Sequence, residues 1–187
     1  MRNRSRGKQR KATPRQGYRR AVVSPTKKPS IFVRPIEVSD FDFIRTLASK
    51  IEGYTIPPPY VLWMFSRFQM DFCAVAQEND GCQLGYLLAM SGLPHPATAF
   101  VWQFACTFRG QRLQASRKLA KHLKTAVEKH GIGKILFTTV PRSAADRSVA
   151  AVAKKVFHAL PRPGPKMPKS VSSDECEYCV HLATLRT

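Results

Sequence analysis

The chain is 187 residues long, 43% of them hydrophobic, and it carries a formal net charge of +19. This length supports one good hydrophobic core and a tail, but hardly two domains. No apolar run approaches the roughly 18 residues of a membrane span, and the N-terminus lacks the apolar core of a secretory signal. The five cysteines are an odd number, which fits reduced thiols in a cytoplasmic protein better than a disulfide framework.

The first thirty residues differ in composition from the rest. They hold 11 Lys or Arg and no acid, whereas residues 31–187 carry 20 basic and 12 acidic side chains, a net charge of +8. Because few of the thirty are apolar, they cannot bury enough surface to offset their ordering entropy. We therefore predict a disordered basic tail over 1–30 and a single domain over 31–187. The tail is suited to binding nucleic acid or an acidic partner. Two alternatives stay open: that it is a solvated tail with no specific partner, and that these residues are an extension upstream of the true start of the protein.

From residue 31 the apolar pattern becomes regular and predicts six strands and four helices. In chain order these are strand 31–35, a helix from a Ser39 cap to Gly53, a helix over 60–68, strands 72–77 and 82–90 joined by a turn at 79–81, strand 100–106, a helix from Ala115, strand 134–140, a helix over 149–160, and strand 175–185. A Pro/Gly-rich connector, 161–168, precedes the last strand. This order predicts an α/β (α+β) domain with a mixed sheet, antiparallel early and parallel where a helix connects strands.

The stretch from Ala99 to Leu123 is the most informative part of the sequence. Its near-continuous apolar run predicts a strand buried on both faces, which leads through a short basic turn into a cationic helix. The first backbone N–H groups of such a helix have no partner within the helix and lie at its positive dipole end, so they suit an anion such as phosphate. An ordinary strand–turn–helix with a solvated basic face remains the alternative.

Several short stretches, in this order, resemble the GNAT superfamily of N-acetyltransferases, and within it the diaminobutyrate acetyltransferases of ectoine synthesis. They are IFVRP with Ser39-Asp40, residues 71–76, Leu84-Gly85-Tyr86, Phe100-Val101-Trp102-Gln103, and residues 136–140. The resemblance implies a sheet that splays between its fourth and fifth strands. It also implies that the pantetheine arm of acetyl-CoA lies in the opening and its pyrophosphate on the turn after Cys106.

The family's phosphate loop, Q/R-x-x-G-x-G/A, is altered in this chain. One register places it on 111–116, where Gln114 and Ser116 replace the small residues; a second, on 109–114, also loses both. Glycine lets the backbone approach phosphate, so we expect a weakened, reshaped or lost site unless the nearby arginines compensate. The expected cofactor-binding residues are Phe104, Ala105, Cys106, Gln111, Arg112, Gln114, Ser116 and Arg117.

Acetyl transfer needs a neutral amine and an acid for the departing thiolate. Glu52 and Tyr54 are the acid and phenol expected at the acceptor cleft, and Ser148 is the hydroxyl next to the helix where many relatives carry a tyrosine. Trp102, Gln103 and Thr138 are the expected acceptor-binding residues. The acceptor itself, a small amine or a protein, stays open, as does a homodimer.

Cys176, Cys179 and His181 have the spacing of half a zinc site, but a half-buried strand explains them more simply, and we predict no metal. The competing function is a catalytically weak GNAT-like scaffold that the basic tail holds on nucleic acid or ribosomes.

Overall fold

The structure, a computed structural model, describes residues 30–92, 97–107, 111–139, 144–166 and 176–182. Within these ranges the elements are, in chain order, β1 (Ile31–Pro35), α1 (Phe41–Ala48), α2 (Pro59–Phe68), β2 (Ala74–Glu78), β3 (Gln83–Ser91), β4 (Thr98–Cys106), α3 (Arg112–Lys129), β5 (Lys134–Thr139), α4 (Ala144–Val152), β6 (Arg162–Lys166) and β7 (Cys176–His181). A 3-10 turn, Val38–Asp40, precedes α1, and a π-helical turn, Ala153–Phe157, extends α4.

The described strands form one mixed sheet in the order β1-β2-β3-β4-β5-β7-β6. β4 and β5 are parallel, and the other neighbouring pairs are antiparallel. A parallel pair needs a crossover connection, which α3 supplies between these two strands. The predicted fold class, an α/β domain with a mixed sheet that is antiparallel early, is confirmed.

Helices cover both faces of the sheet and produce two hydrophobic cores. Ala115, Leu119, Leu123 and Val127, the predicted inner face of α3, are buried in one core with residues of β2, β3 and β5. The other core contains the buried side chains of α1 and α2, including Ile44, Leu62 and Phe65. The basic helix α3 therefore lies on the opposite side of the sheet from α1 and α2.

The first helix begins and ends differently from the prediction. A buried carboxylate starts it: Asp40 accepts the backbone N–H of Glu37 at 2.8 Å and two hydrogen bonds of 2.7 Å from the Arg34 guanidinium. Ser39 is not the cap. The helix stops at Ala48, well before Gly53, which adopts a φ of +82°. The chain from 49 to 58 thus becomes a long connection over the sheet.

The predicted Pro/Gly-rich connector is partly wrong, because residues 162–166 form the edge strand β6 on β7. Prolines are tolerated there since an edge strand has one side that makes no sheet hydrogen bonds.

The helix predicted over 149–160 begins earlier, at Ala144, and its last turn ends at His158 with a φ of +53°. In the part of the chain that is described, no helix combines the length and apolar character of a membrane span.

Candidate functional site

The central sheet opens between β4 and β5. These strands pair only from Thr98 with Lys134 to Val101 with Phe137. Beyond that point β4 continues to Cys106 with β3 alone, while β5 stays paired with β7. We call the opening between β4 residues 102–106 and β5 residues 138–139 the split. It lies where the sequence resemblance implied a splay between the fourth and fifth strands.

A β-bulge in β4 coincides with the start of the split. Leu88 of β3 lies opposite Gln103, but the next residue, Ala89, lies opposite Val101, so Trp102 is the extra residue. A bulge bends its strand and increases the local twist, which turns β4 away from β5. The prediction that β4 is buried on both faces is only partly right, because Phe100, Val101, Trp102 and Phe104 are partly exposed.

The long connection between α1 and α2 is attached to β4 at the split. The Tyr54 hydroxyl donates a hydrogen bond of 2.8 Å to the backbone carbonyl of Phe104. One residue along, the side-chain amide of Gln103 donates to the carbonyl of Thr55 at 2.6 Å. These contacts place Tyr54, one of the predicted catalytic residues, directly against the free edge of β4.

Gln103 is buried, and its side chain is fixed by a hydrogen bond from the neighbouring strand β3. Its side-chain oxygen accepts a hydrogen bond of 2.9 Å from the hydroxyl of Tyr86, whose own side chain is fully buried in β3. Burial raises the pKa of Tyr86, so its hydroxyl stays protonated and available as a donor. The geometry makes Gln103 a positioning residue for the connection that carries Tyr54. Tyr86 is the residue that the sequence interpretation missed; a hydroxyl inside an otherwise apolar strand was the available signal.

An aromatic wall borders the split on the α2 side. The ring of Trp102 stacks on Phe65 of α2 with centroids 5.5 Å apart and planes 18° apart. Phe104 packs instead against the core on the α3 side. The bulge residue therefore couples α2 to the point where the sheet opens.

The N-terminus of α3 lies beyond the end of β4 and suits an anion. No side-chain hydrogen bond caps it at Gln111, whose side-chain amide donates to the Glu78 carboxylate at 2.7 Å. The first turn holds no acid, and the positive end of the helix dipole lies there. Gln114 and Arg117 are exposed, whereas the buried Ser116 donates to the Leu113 carbonyl at 3.0 Å.

Cys106 ends β4 as an inert thiol. Burial raises its pKa to about 12, while the nearby Arg112 charge acts in the opposite direction. At neutral pH the thiol is protonated, which makes it a poor nucleophile. It packs where β3 approaches closely: a Cβ on Gly85 would lie 2.6 Å from the Cys106 sulfur and 2.5 Å from the Ala105 carbonyl oxygen. Ala105 itself is buried.

The remaining predicted site residues are spread out. Glu52 is exposed on the α1–α2 connection, and Ser148 is exposed on α4. Thr138 is partly buried on β5, one residue past the last pair with β4. Arg109 and Gly110, which begin the second phosphate-loop register, lie outside the described residues, as does the tail over 1–29. Among the residues that are described, no three His, Cys, Asp or Glu side chains form a metal-binding group.

No protein-family model and no curated protein matches the chain by sequence. Solved structures do match it. Diaminobutyrate acetyltransferase EctA from Paenibacillus lautus, in complex with L-2,4-diaminobutyric acid and coenzyme A, superposes with a TM-score of 0.70 at 19% identity, over 82% of this chain and 95% of that one.

Two further solved structures show the same architecture. Naa50 of Arabidopsis thaliana, bound to the bisubstrate analogue CoA-Ac-MVNAL, gives a TM-score of 0.64 at 11% identity, over 82% of this chain and 99% of that one. YncA of Salmonella typhimurium, with its cofactor acetyl-CoA, gives 0.61 at 15% identity, over 84% and 96%. The chain therefore has the GNAT acetyltransferase fold, and the resemblance seen in the sequence is confirmed at that level.

Proposed function

We propose that this chain, which has the GNAT fold, is an N-acetyltransferase that transfers the acetyl group of acetyl-CoA to a primary amine. The observation that carries the proposal is the split: β4 loses its β5 neighbour at a bulge and exposes backbone groups in the middle of the sheet. The solved structures of this fold include complexes with coenzyme A, acetyl-CoA and a CoA-linked peptide. The acceptor is a small amine, an amino acid or a protein N-terminus.

The residues at the split fit an acyl-CoA. The free edge of β4 over residues 102–106 offers backbone hydrogen bonds to an extended pantetheine arm. At its end, the uncapped N-terminus of α3 and the Arg112 side chain offer N–H groups and positive charge to a pyrophosphate. Gln114, which stands where the family's loop has a glycine, is exposed. Arginine thus supplies the attraction that the family's glycines otherwise provide through close backbone approach.

The chemistry requires two proton movements, and we propose Tyr54 for one of them. Bound acetyl-CoA supplies the thioester, whose thiolate leaves as the amine attacks. The Tyr54 hydroxyl donates to the Phe104 carbonyl at the free edge of β4; with acetyl-CoA bound it would exchange this acceptor for the departing sulfur and give the sulfur its proton. An acceptor amine with a pKa near 10.4 is almost wholly protonated at neutral pH, so a base or a water must first remove its proton.

Calorimetric titration with acetyl-CoA tests the proposal on the full chain. We expect micromolar affinity that falls at least about tenfold in Arg112→Glu, because the substitution places a negative charge at the phosphate site. Lys121→Glu is the matched control: it makes the same charge change in the same helix, further from its N-terminus, and should retain affinity. Absence of acetyl-CoA binding, together with salt-sensitive RNA affinity, would contradict the proposal and favour the scaffold.

A further inference from the structure

A shallow groove of about 320 Å³ lies between the strand β1 and the helix α3. We call it the β1–α3 groove. One wall is formed by β1 and the other by two successive turns of α3; the residues are Phe32, Val33, Lys118, Lys121, His122 and Thr125. β2 and β3 separate β1 from β4 in the sheet, which at about 4.8 Å per strand is a distance of roughly 14 Å. The groove is therefore distinct from the split.

The two lysines of the groove have no anionic partner, unlike the lysines further along the helix. Lys124 pairs with Glu128 at 3.9 Å, and Lys129 pairs with a carboxylate before β2 at 2.8 Å. Lys118 and Lys121 are exposed, and no carboxylate of the described residues lies within 4.0 Å of either. Because like charges one turn apart on a helix repel each other, this wall attracts an anion.

The other wall is a sheet edge that has hydrogen bonds to offer. β1 pairs with β2 from Ile31 to Pro35 and is the end strand of the described sheet. Alternate residues of such a strand direct their N–H and C=O groups away from the sheet, and proteins usually protect such edges with charge or proline. Here the only charged side chain, Arg34, is bonded to the buried Asp40, and Phe32 is 40% exposed. This edge is suited to an added strand.

We propose that the β1–α3 groove binds an extended acidic segment of a partner protein, which adds a strand to β1. Side chains of a strand alternate between the two faces of the sheet. Val33 belongs to the core on the α3 side, so its neighbour Phe32 belongs to the opposite face. In the added strand, acidic side chains on the α3 face meet Lys118 and Lys121, and apolar side chains on the other face lie beside Phe32. The recognised pattern is acid, apolar, acid.

The spacing of the charges agrees with this pattern. Acids two residues apart in a strand are separated by about 6.8 Å, and the rise from Lys118 to Lys121 along the helix is about 4.5 Å. Long, flexible lysine side chains cover the difference. Nucleic acid would also be attracted to these lysines, but its phosphates would leave the N–H and C=O groups of β1 without partners. A peptide uses both walls of the groove, and for this reason we favour it.

Hydrogen exchange of the full chain tests the proposal with the synthetic peptide Ser-Glu-Val-Glu-Val-Glu-Ser, at a salt concentration of about 50 mM that preserves charge attraction. At a free peptide concentration of ten times the Kd, we expect the exposed amides within 31–35 to exchange about tenfold more slowly. The same peptide with N-methylated central residues keeps the charge but loses the backbone donors. It should give no protection of this strand.

The double variant Lys118→Glu with Lys121→Glu should weaken peptide binding about a hundredfold, because each reversal replaces attraction with repulsion. The matched control is Lys154→Glu with Lys155→Glu, which makes the same charge change on two exposed lysines of the π-helical turn after α4. It should retain both affinity and protection. The comparison separates the groove from the general attraction between a cationic protein and an acidic peptide.

Four results would overturn the proposal: no protection of 31–35 at about 1 mM peptide, protection that survives in the groove double variant, protection by the N-methylated peptide, or tighter binding of an oligouridine of equal charge that the same double variant abolishes. The proposed acetyltransferase activity is tested separately. Lys121→Glu alone should weaken peptide binding about tenfold while acetyl-CoA affinity is retained, so failure of one proposal is distinguishable from failure of the other.

Discussion

The two halves of β4 have the same apolar composition but different surroundings. Over Thr98–Val101 the strand has neighbours on both sides, whereas over Trp102–Cys106 it has only β3. In the first half backbone pairing on both sides holds the strand in place. In the second half side-chain hydrogen bonds take the place of the missing strand. The Tyr54 hydroxyl donates to the Phe104 carbonyl, and the Gln103 side chain donates to the α1–α2 connection. The difference shows how one strand can be held by its neighbours over one half and by side chains from a distant connection over the other.

The most damaging change to the second half is predicted at Gly85, opposite Cys106. A methyl group there would lie 2.5 Å from the Ala105 backbone oxygen, so Gly85→Ala should force β3 and β4 apart and cost about 3 kcal/mol of unfolding free energy. Gly133 is the control for the first half: its N–H donates to the Ala97 carbonyl, and an added Cβ meets nothing within 4 Å. Urea unfolding of both alanine variants measures the difference; equal losses would contradict this account.

A smaller but more specific effect is predicted for Gln103→Leu. The substitution leaves the buried Tyr86 hydroxyl without its acceptor, which should cost about 2 kcal/mol, and it frees the connection that carries Tyr54, so acetyl-CoA affinity should also fall. Gln69→Leu is the matched control, because Gln69 bonds the backbone of Ser91, opposite Ala99 in the first half. It should reduce stability alone. Calorimetry and urea unfolding separate the two outcomes, and an equal loss of affinity in both variants would refute the division of β4.

The sequence predicts the features that depend on local signals better than those that depend on contacts between distant residues. The inner face of α3 and the hairpin of β2 and β3 follow from periodicity and turn residues, which are local signals. The split could be inferred only by resemblance, because a bulge at Trp102 depends on pairing between residues far apart in the chain. Tyr54 could be named as a phenol near the cleft, but its contact with Phe104 joins residues 50 positions apart. The β6 strand was missed because its prolines argue against a strand unless the edge position is known.

The smallest effect is predicted for the thiol that ends the second half. Burial raises the pKa of Cys106 to about 12, so at pH 8 only about one molecule in ten thousand carries the thiolate, and alkylation should be slow. The partly exposed Cys82 should react before Cys106, as mass spectrometry of timed samples would show. Because the folded pKa lies above the unfolded value near 9, the associated stability is fully present below pH 9 and is lost as pH rises towards 12. Cys106→Ala should therefore lose less stability than the wild type between pH 8 and pH 10; an equal loss would mean that this thiol is not shielded from water.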